Sequence, residues 1–194
     1  MITTSQLTIE GVTLTLTVER KRVKNINARL RGGELYVSAP ARMPQAALDA
    51  AIPELARRLL RRARASAINA EDDAVALARR VAQRFAQPPD VAAMIFVTTQ
   101  QARWGSYSSA THTIRLNAAL RLMPPWVLEA VVAHELAHVF HLDHSPAFWK
   151  LLRRVEPETD RAKAFLEGVS WLGHSWETMP PVERALLTRT RDEH

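Results

Sequence analysis

The sequence predicts an α+β fold, with antiparallel strands followed by helices in the N-terminal half and a second small antiparallel sheet beside an apolar helix further on. Three observations carry this. Apolar and polar residues alternate between Leu7 and Ala39, the period of a half-buried strand. They then recur at helical spacing from Leu48 to Phe85, and two compact apolar runs follow at 91–98 and 127–140.

In the first segment Leu7/Ile9, Val12/Leu14/Leu16/Val18 and Leu35/Val37 supply the alternation, with Gly11 and Gly32-Gly33 where the chain must turn. Three or four short antiparallel strands are expected. After Pro44, Leu48, Ile52, Leu55 and Leu59 form one stripe of a helix while Arg57, Arg58, Arg61 and Arg64 point largely to the other side, and Pro53 predicts a kink or a break into two helices. A second helix is expected over 71–85, ended by Pro88-Pro89, which marks a subdomain boundary. The run 91–98 fits a buried strand, 103–109 a turn of small polar residues, and 111–117 another strand. Pro124-Pro125 opens a helix that continues to about His141, and Ser145-Pro146 opens the next, with Ser145 as its cap. Beyond Pro157, helices over 160–167 and 182–187 flank a loop holding Trp171 and Trp176. Three regions result: a basic region of strands and helices over 1–87, a compact core over 88–156, and a helical tail over 157–194.

Composition narrows the chemistry. Apolar residues make up 47% and charged residues 24% of the chain, the balance of a soluble globular protein, and no stretch is long and apolar enough for a membrane span. The N-terminus lacks the basic flank and apolar run of a secretion signal, so a cytoplasmic protein is expected. There is no cysteine, so any metal must be held by His, Asp or Glu. The net charge of +6 is uneven: residues 1–87 hold 15 Lys/Arg against 8 Asp/Glu, and residues 88–194 hold 11 against 12. Such asymmetry marks either a solvated arginine-rich helix face or a surface for nucleic acid, in which Arg57, Arg58, Arg61 and Arg62 would contact phosphates.

The chemistry is concentrated in Val131-Val132-Ala133-His134-Glu135-Leu136-Ala137-His138-Val139-Phe140, which places H-E-x-x-H on a helix. Residues four apart share a face, so both imidazoles can reach one ion, and zinc suits nitrogen ligands. Glu135 is then the general base toward a water activated by the ion. Histidines that merely filled a buried helix would leave a carboxylate uncompensated beside them, at a cost of several kcal/mol. One zinc per chain is therefore expected.

A third ligand must come from elsewhere. His144, six residues after His138, lies in Asp143-His144-Ser145-Pro146, a turn able to fold back toward the helix, and it is favoured over His141 and over the carboxylates of Asp143 and Glu156. The spacing equals that of metzincins, but His141 stands where those require glycine. Trp104, Phe148 and Trp149 read as core packing, and Tyr107, His112, Arg115 and His174 as the residues able to stabilise a transition state or contact substrate.

The run from Arg103 to Trp149, with Arg103-Trp104-Gly105-Ser106, Ile114-Arg115-Leu116-Asn117, His134-Glu135-Leu136-Ala137-His138 and His144-Ser145-Pro146-Ala147-Phe148-Trp149, resembles the YgjP-like metallopeptidase family, related to the SprT-like proteases. The likeness covers about residues 7–155. It implies a zincin-like core over 88–156, zinc on His134, His138 and His144, Glu135 as base, and a protein or peptide substrate. The family commonly has Cys in R-W-G-S-C-S, where this chain has Tyr107. The expected function is thus a zinc metallopeptidase. Two rivals are a nucleic-acid-associated binding module with a structural zinc and a hydrolase of a non-peptide amide.

Overall fold

The computed structural model describes residues 2–71 and 74–188, which fall into two compact units: the described residues of Met1–Asp73 with Phe96–Thr99, and those of Ala74–Ile95 with Gln100–His194.

The first unit begins with β1 (Ile2–Ile9) and β2 (Val12–Lys21), an antiparallel hairpin closed by Glu10-Gly11, both at positive φ as a two-residue turn of this hand requires. A second hairpin, β3 (Asn27–Arg31) and β4 (Glu34–Pro40), closes the same way through Gly32-Gly33. The strand order is β1-β2-β4-β3, and β2 pairs with β4 in parallel, from Thr15 opposite Glu34 to Lys21 opposite Pro40. The sheet is therefore mixed, not antiparallel throughout as expected. Alternation reports which side chains share a face but not the direction of the neighbouring strand, and the segment between β2 and β4 is long enough for the crossover that parallel pairing needs. Leu14, Leu16, Val18, Leu35, Val37 and Ala39 bury one face of the sheet against Leu48, Ile52 and Ala56 of α1 (Gln45–Glu71). That helix is one element across Pro53, since residues on both sides of the proline are held in the same core.

The second unit opens with α2 (Ala74–Ala82). The second sheet has the order β5-β7-β6, from β5 (Ala93–Val97), whose last two residues fall in the first unit, β6 (Gly105–Ser108) and β7 (Thr113–Asn117). The segment expected as a turn is β6. Its small polar residues give little strand signal of their own, and antiparallel pairing with β7, Gly105 opposite Leu116 and Tyr107 opposite Ile114, makes it a strand. Asn117 fixes its start: the Asn117 N–H donates to the Trp104 carbonyl at 2.8 Å, and its side chain donates to the Gln100 carbonyl and caps the short 3-10 turn Ala118–Leu122.

The centre of this unit is α3 (Pro125–Ala137), opened by Pro125 in its first turn and packed against α2, α4 (Pro146–Val155), α5 (Thr159–Ser175), β6 and β7. Val127, Val132, Ala133, Leu136 and Ala137 are fully buried. A helix apolar nearly all round is a buried helix. It stops at Ala137 instead of continuing to His141. His138 is its C-cap, and the amides of Val139 and Phe140 return to carbonyls three residues back, tightening the last turn. Ser145 caps α4 as expected, accepting from the Phe148 N–H. The anticipated Trp171/Trp176 loop is replaced by the end of α5, which runs on to Ser175 and is followed by α6 (Pro181–Leu187). Across the outer face of α3, Arg84 forms ion pairs with both Glu129 and the buried Glu156, while Arg80 adds a contact to Glu129 at 3.0 Å. No helix among the described residues is long and apolar enough to cross a membrane.

Candidate metal centre

His134 and His138 stand one turn apart at the C-terminal end of α3, with ring centroids 5.0 Å from each other. The loop that follows brings His144 back to them, its ring 5.0 Å from His134 and 4.8 Å from His138. The donor nitrogens of the three lie within 4.8 Å of one another, and the Nε2 atoms of His134 and His144 are 3.0 Å apart. Nitrogens bound at ~2.0–2.1 Å to one tetrahedral zinc ion are themselves about 3.3 Å apart, so the set suits such an ion. Its chemistry suits it as well. Burial, reinforced by its two histidine neighbours, pushes the His134 imidazole down to about 3, and burial also lowers His138, so both rings are neutral and able to ligate at neutral pH.

His141 takes a different place from the one weighed for it as a ligand. Its carbonyl lies 3.0 Å from His138 Nδ1, and a bond donated there leaves the His138 Nε2 lone pair for a metal. Glu156 is engaged by Arg84, and Asp143 is held below the usual carboxylate range by the Ser145 hydroxyl and amide. Phe148, fully buried, places its ring 4.7–4.9 Å from all three imidazoles and forms their backing. Trp149 stacks on His144 at 5.7 Å.

Glu135, on the next position of α3, is 5% exposed. Burial pushes its carboxyl up to about 7 against the opposing effects of the Tyr107 N–H, which donates to it, and of the Arg103 charge. Its side chain lies on Gly105 of β6: a Cβ at that position would sit 2.5 Å from Glu135 Oε1 and 2.9 Å from Cδ. Only glycine allows the strand this close.

The three histidines and Glu135 line a cavity of about 850 Å³ together with residues of β6, α4 and α5. Of the four residues proposed from sequence as transition-state or substrate contacts, Tyr107 lines this cavity, and its hydroxyl is 3.1 Å from His112 Nδ1. His112, Arg115 and His174 do not line it; His174 is bound back to the Ser170 carbonyl on its own helix at 2.6 Å. Trp104 and Trp149, expected in the core, line the cavity, whereas Phe148 is core as expected. Sequence reasoning missed Gly105 and Arg103 at the carboxylate and the whole α5 wall. Arg103-Trp104-Gly105-Ser106 was visible as a motif, but nothing in it said that the glycine meets Glu135. In the first unit, Arg57 pairs with Glu54 and Arg61 with Glu10 at 3.0 Å, while Arg58 and Arg62 are exposed on α1. That geometry carries no nucleic-acid partner.

Three converging imidazoles beside a buried carboxylate, opening on a large cavity, have the make-up of a hydrolase's metal site. Residues 69–168, just over half of the chain, match the YgjP-like metallopeptidase domain. The chain belongs to that family, whose activity is peptide hydrolysis with a metal. The match begins later than the expected likeness, at 69 instead of 7, and runs past Pro157 into α5. No curated protein and no solved structure matches the chain.

Proposed function

We propose that the chain is a zinc-dependent peptidase of zincin type, with His134, His138 and His144 as the metal ligands and Glu135 as general base. The observation that carries this is the convergence of three imidazoles within 4.8 Å beside a buried carboxylate. Among the described residues the cluster offers three such donors, the number of a catalytic site, whereas a structural zinc closes its sphere with four protein ligands. When bound, the ion supplies Lewis acidity, making water a usable nucleophile near neutral pH and polarising a carbonyl.

The residues of the chain account for the rest. Glu135 is ionised more readily once positive charge occupies the imidazole cluster, and as the carboxylate it accepts a proton from the attacking water. Oxygen adds to the scissile carbonyl carbon, the C–N bond breaks, and Glu135 returns the proton to the leaving amine. Gly105 and the Tyr107 N–H hold the carboxylate in place, so that the proton is transferred from one fixed position.

The test uses five variants of the full chain. His134→Ala, His138→Ala and His144→Ala are expected to lose most bound zinc, and His141→Ala to keep it. Glu135→Gln is expected to keep zinc and fold while losing about 10²–10⁴ in turnover on a peptide substrate. Stoichiometric zinc in the His144→Ala protein would reassign the third ligand, and unchanged turnover in Glu135→Gln would remove it from the mechanism.

A further inference from the structure

The cavity extends well beyond the histidines. At about 850 Å³ it is far larger than a reacting amide needs, and lies within the range of pockets that enclose a whole ligand. Away from the imidazoles much of its lining is apolar: Trp149 of α4, Ala162 and Leu166 of α5, and Ala130 and Val131 of α3, with Lys163 and Glu167 of α5 among them. Leu142, in the loop between His138 and His144, is 70% exposed and stands at the rim, a large apolar side chain left in water beside the reacting groups.

On the α5 side of the cavity the two charges lie beside each other: Lys163 approaches Glu167 at 3.9 Å and lies 5.8 Å from the Trp149 ring centroid. The Thr159 hydroxyl is turned away, donating to the Glu156 carbonyl at 2.6 Å. A charged substrate side chain received beside that pair meets both signs of charge and loses water. An apolar one gains by burial.

We infer that this cavity selects peptide substrates by a large apolar side chain next to the scissile bond, received between Trp149, Ala162 and Leu166. The inference rests on the peptidase reading. Ala162 is the size-setting position: it is buried, lines the cavity and is the one small side chain among the three that would receive the substrate, so a larger residue there would occupy that space.

The test uses blocked hexapeptides identical except for one central residue, Phe, Leu, Ser or Asp, with zinc-loaded protein. Wild type is expected to cleave beside Phe or Leu with kcat/KM about tenfold or more above the Ser and Asp peptides. In Ala162→Phe that ratio collapses. Leu166→Gln, similar in size but polar, should lower it too, which covers the case in which the larger substitution fails to fold by circular dichroism. Cleavage with no preference, or with preference for Asp, would overturn the inference and leave the peptidase reading intact. If wild type cleaves none of the peptides, the peptidase reading is what fails. The subsite is then decided by calorimetric binding of the Phe and Asp peptides to Glu135→Gln, with tighter Phe binding supporting it and equal binding overturning it.

Discussion

The Glu135 carboxylate lies directly on the backbone of Gly105, so closely that a Cβ on Gly105 would come within 2.5 Å of Oε1. An edge strand and a buried helix thus fix one carboxylate between them, and Gly105→Ala must displace it. A shift of about 1 Å in a catalytic group costs on the order of 10² in rate. The expected outcome is a loss of that size in kcat, with zinc content and melting temperature near those of wild type, measured by metal analysis and thermal unfolding. Full activity in Gly105→Ala would mean that the contact does not position the base.

Phe148 makes a second prediction. Its ring backs all three imidazoles and is fully buried. Phe148→Leu keeps the core apolar but removes the ring that His138 stacks on and that His134 and His144 meet edge-on. Groups that orient ligands typically contribute 10–100-fold to metal affinity, so an approximately tenfold weaker zinc affinity is expected in a chelator-competition titration. Unchanged affinity would make Phe148 a matter of packing alone.

The network behind α3 gives a prediction about stability. Arg84 joins Glu129 to Glu156, and Glu156 is 5% exposed. Arg84→Ala leaves that buried carboxylate without its cation. Because Arg84 itself is about one-third exposed, the loss is discounted for solvent screening to about 2–3 kcal/mol, measured by denaturant unfolding. The same network predicts a pH dependence. Burial tends to raise the Glu129 carboxyl, but the Arg84 and Arg80 guanidiniums outweigh it and hold it below its ordinary 4.5. A group whose folded pKa is depressed contributes stability that is fully present above the unfolded value and is lost as pH falls through the folded one. Wild type should therefore lose stability below about pH 4.5 more steeply than Arg84→Ala. Parallel curves would count against the network.

Much of this was legible in the sequence, for reasons that differ by residue. His134, Glu135 and His138 could be read because helical spacing dictates which side chains share a face, and His144 because a turn of Asp, Ser and Pro brings the chain back. The core of the first sheet was likewise fixed by alternation at Leu14, Leu16, Leu35 and Val37. The parallel pairing of β2 with β4 was not, since it depends on where β3 is placed and not on any local pattern. Nor was β6, whose Gly and Ser residues become a strand only through pairing with β7. The α5 wall escaped for a similar reason: Ala162 and Leu166 carry no chemistry of their own and join the cavity only because the fold brings α5 beside it.

The central claim is tested most directly by anomalous diffraction at the zinc absorption edge from crystals of the zinc-loaded protein. The account predicts one anomalous peak per chain, coordinated by His134, His138 and His144, with no fourth protein ligand and with Glu135 outside the coordination sphere. A peak elsewhere, or an ion closed in by a fourth protein side chain, would contradict it.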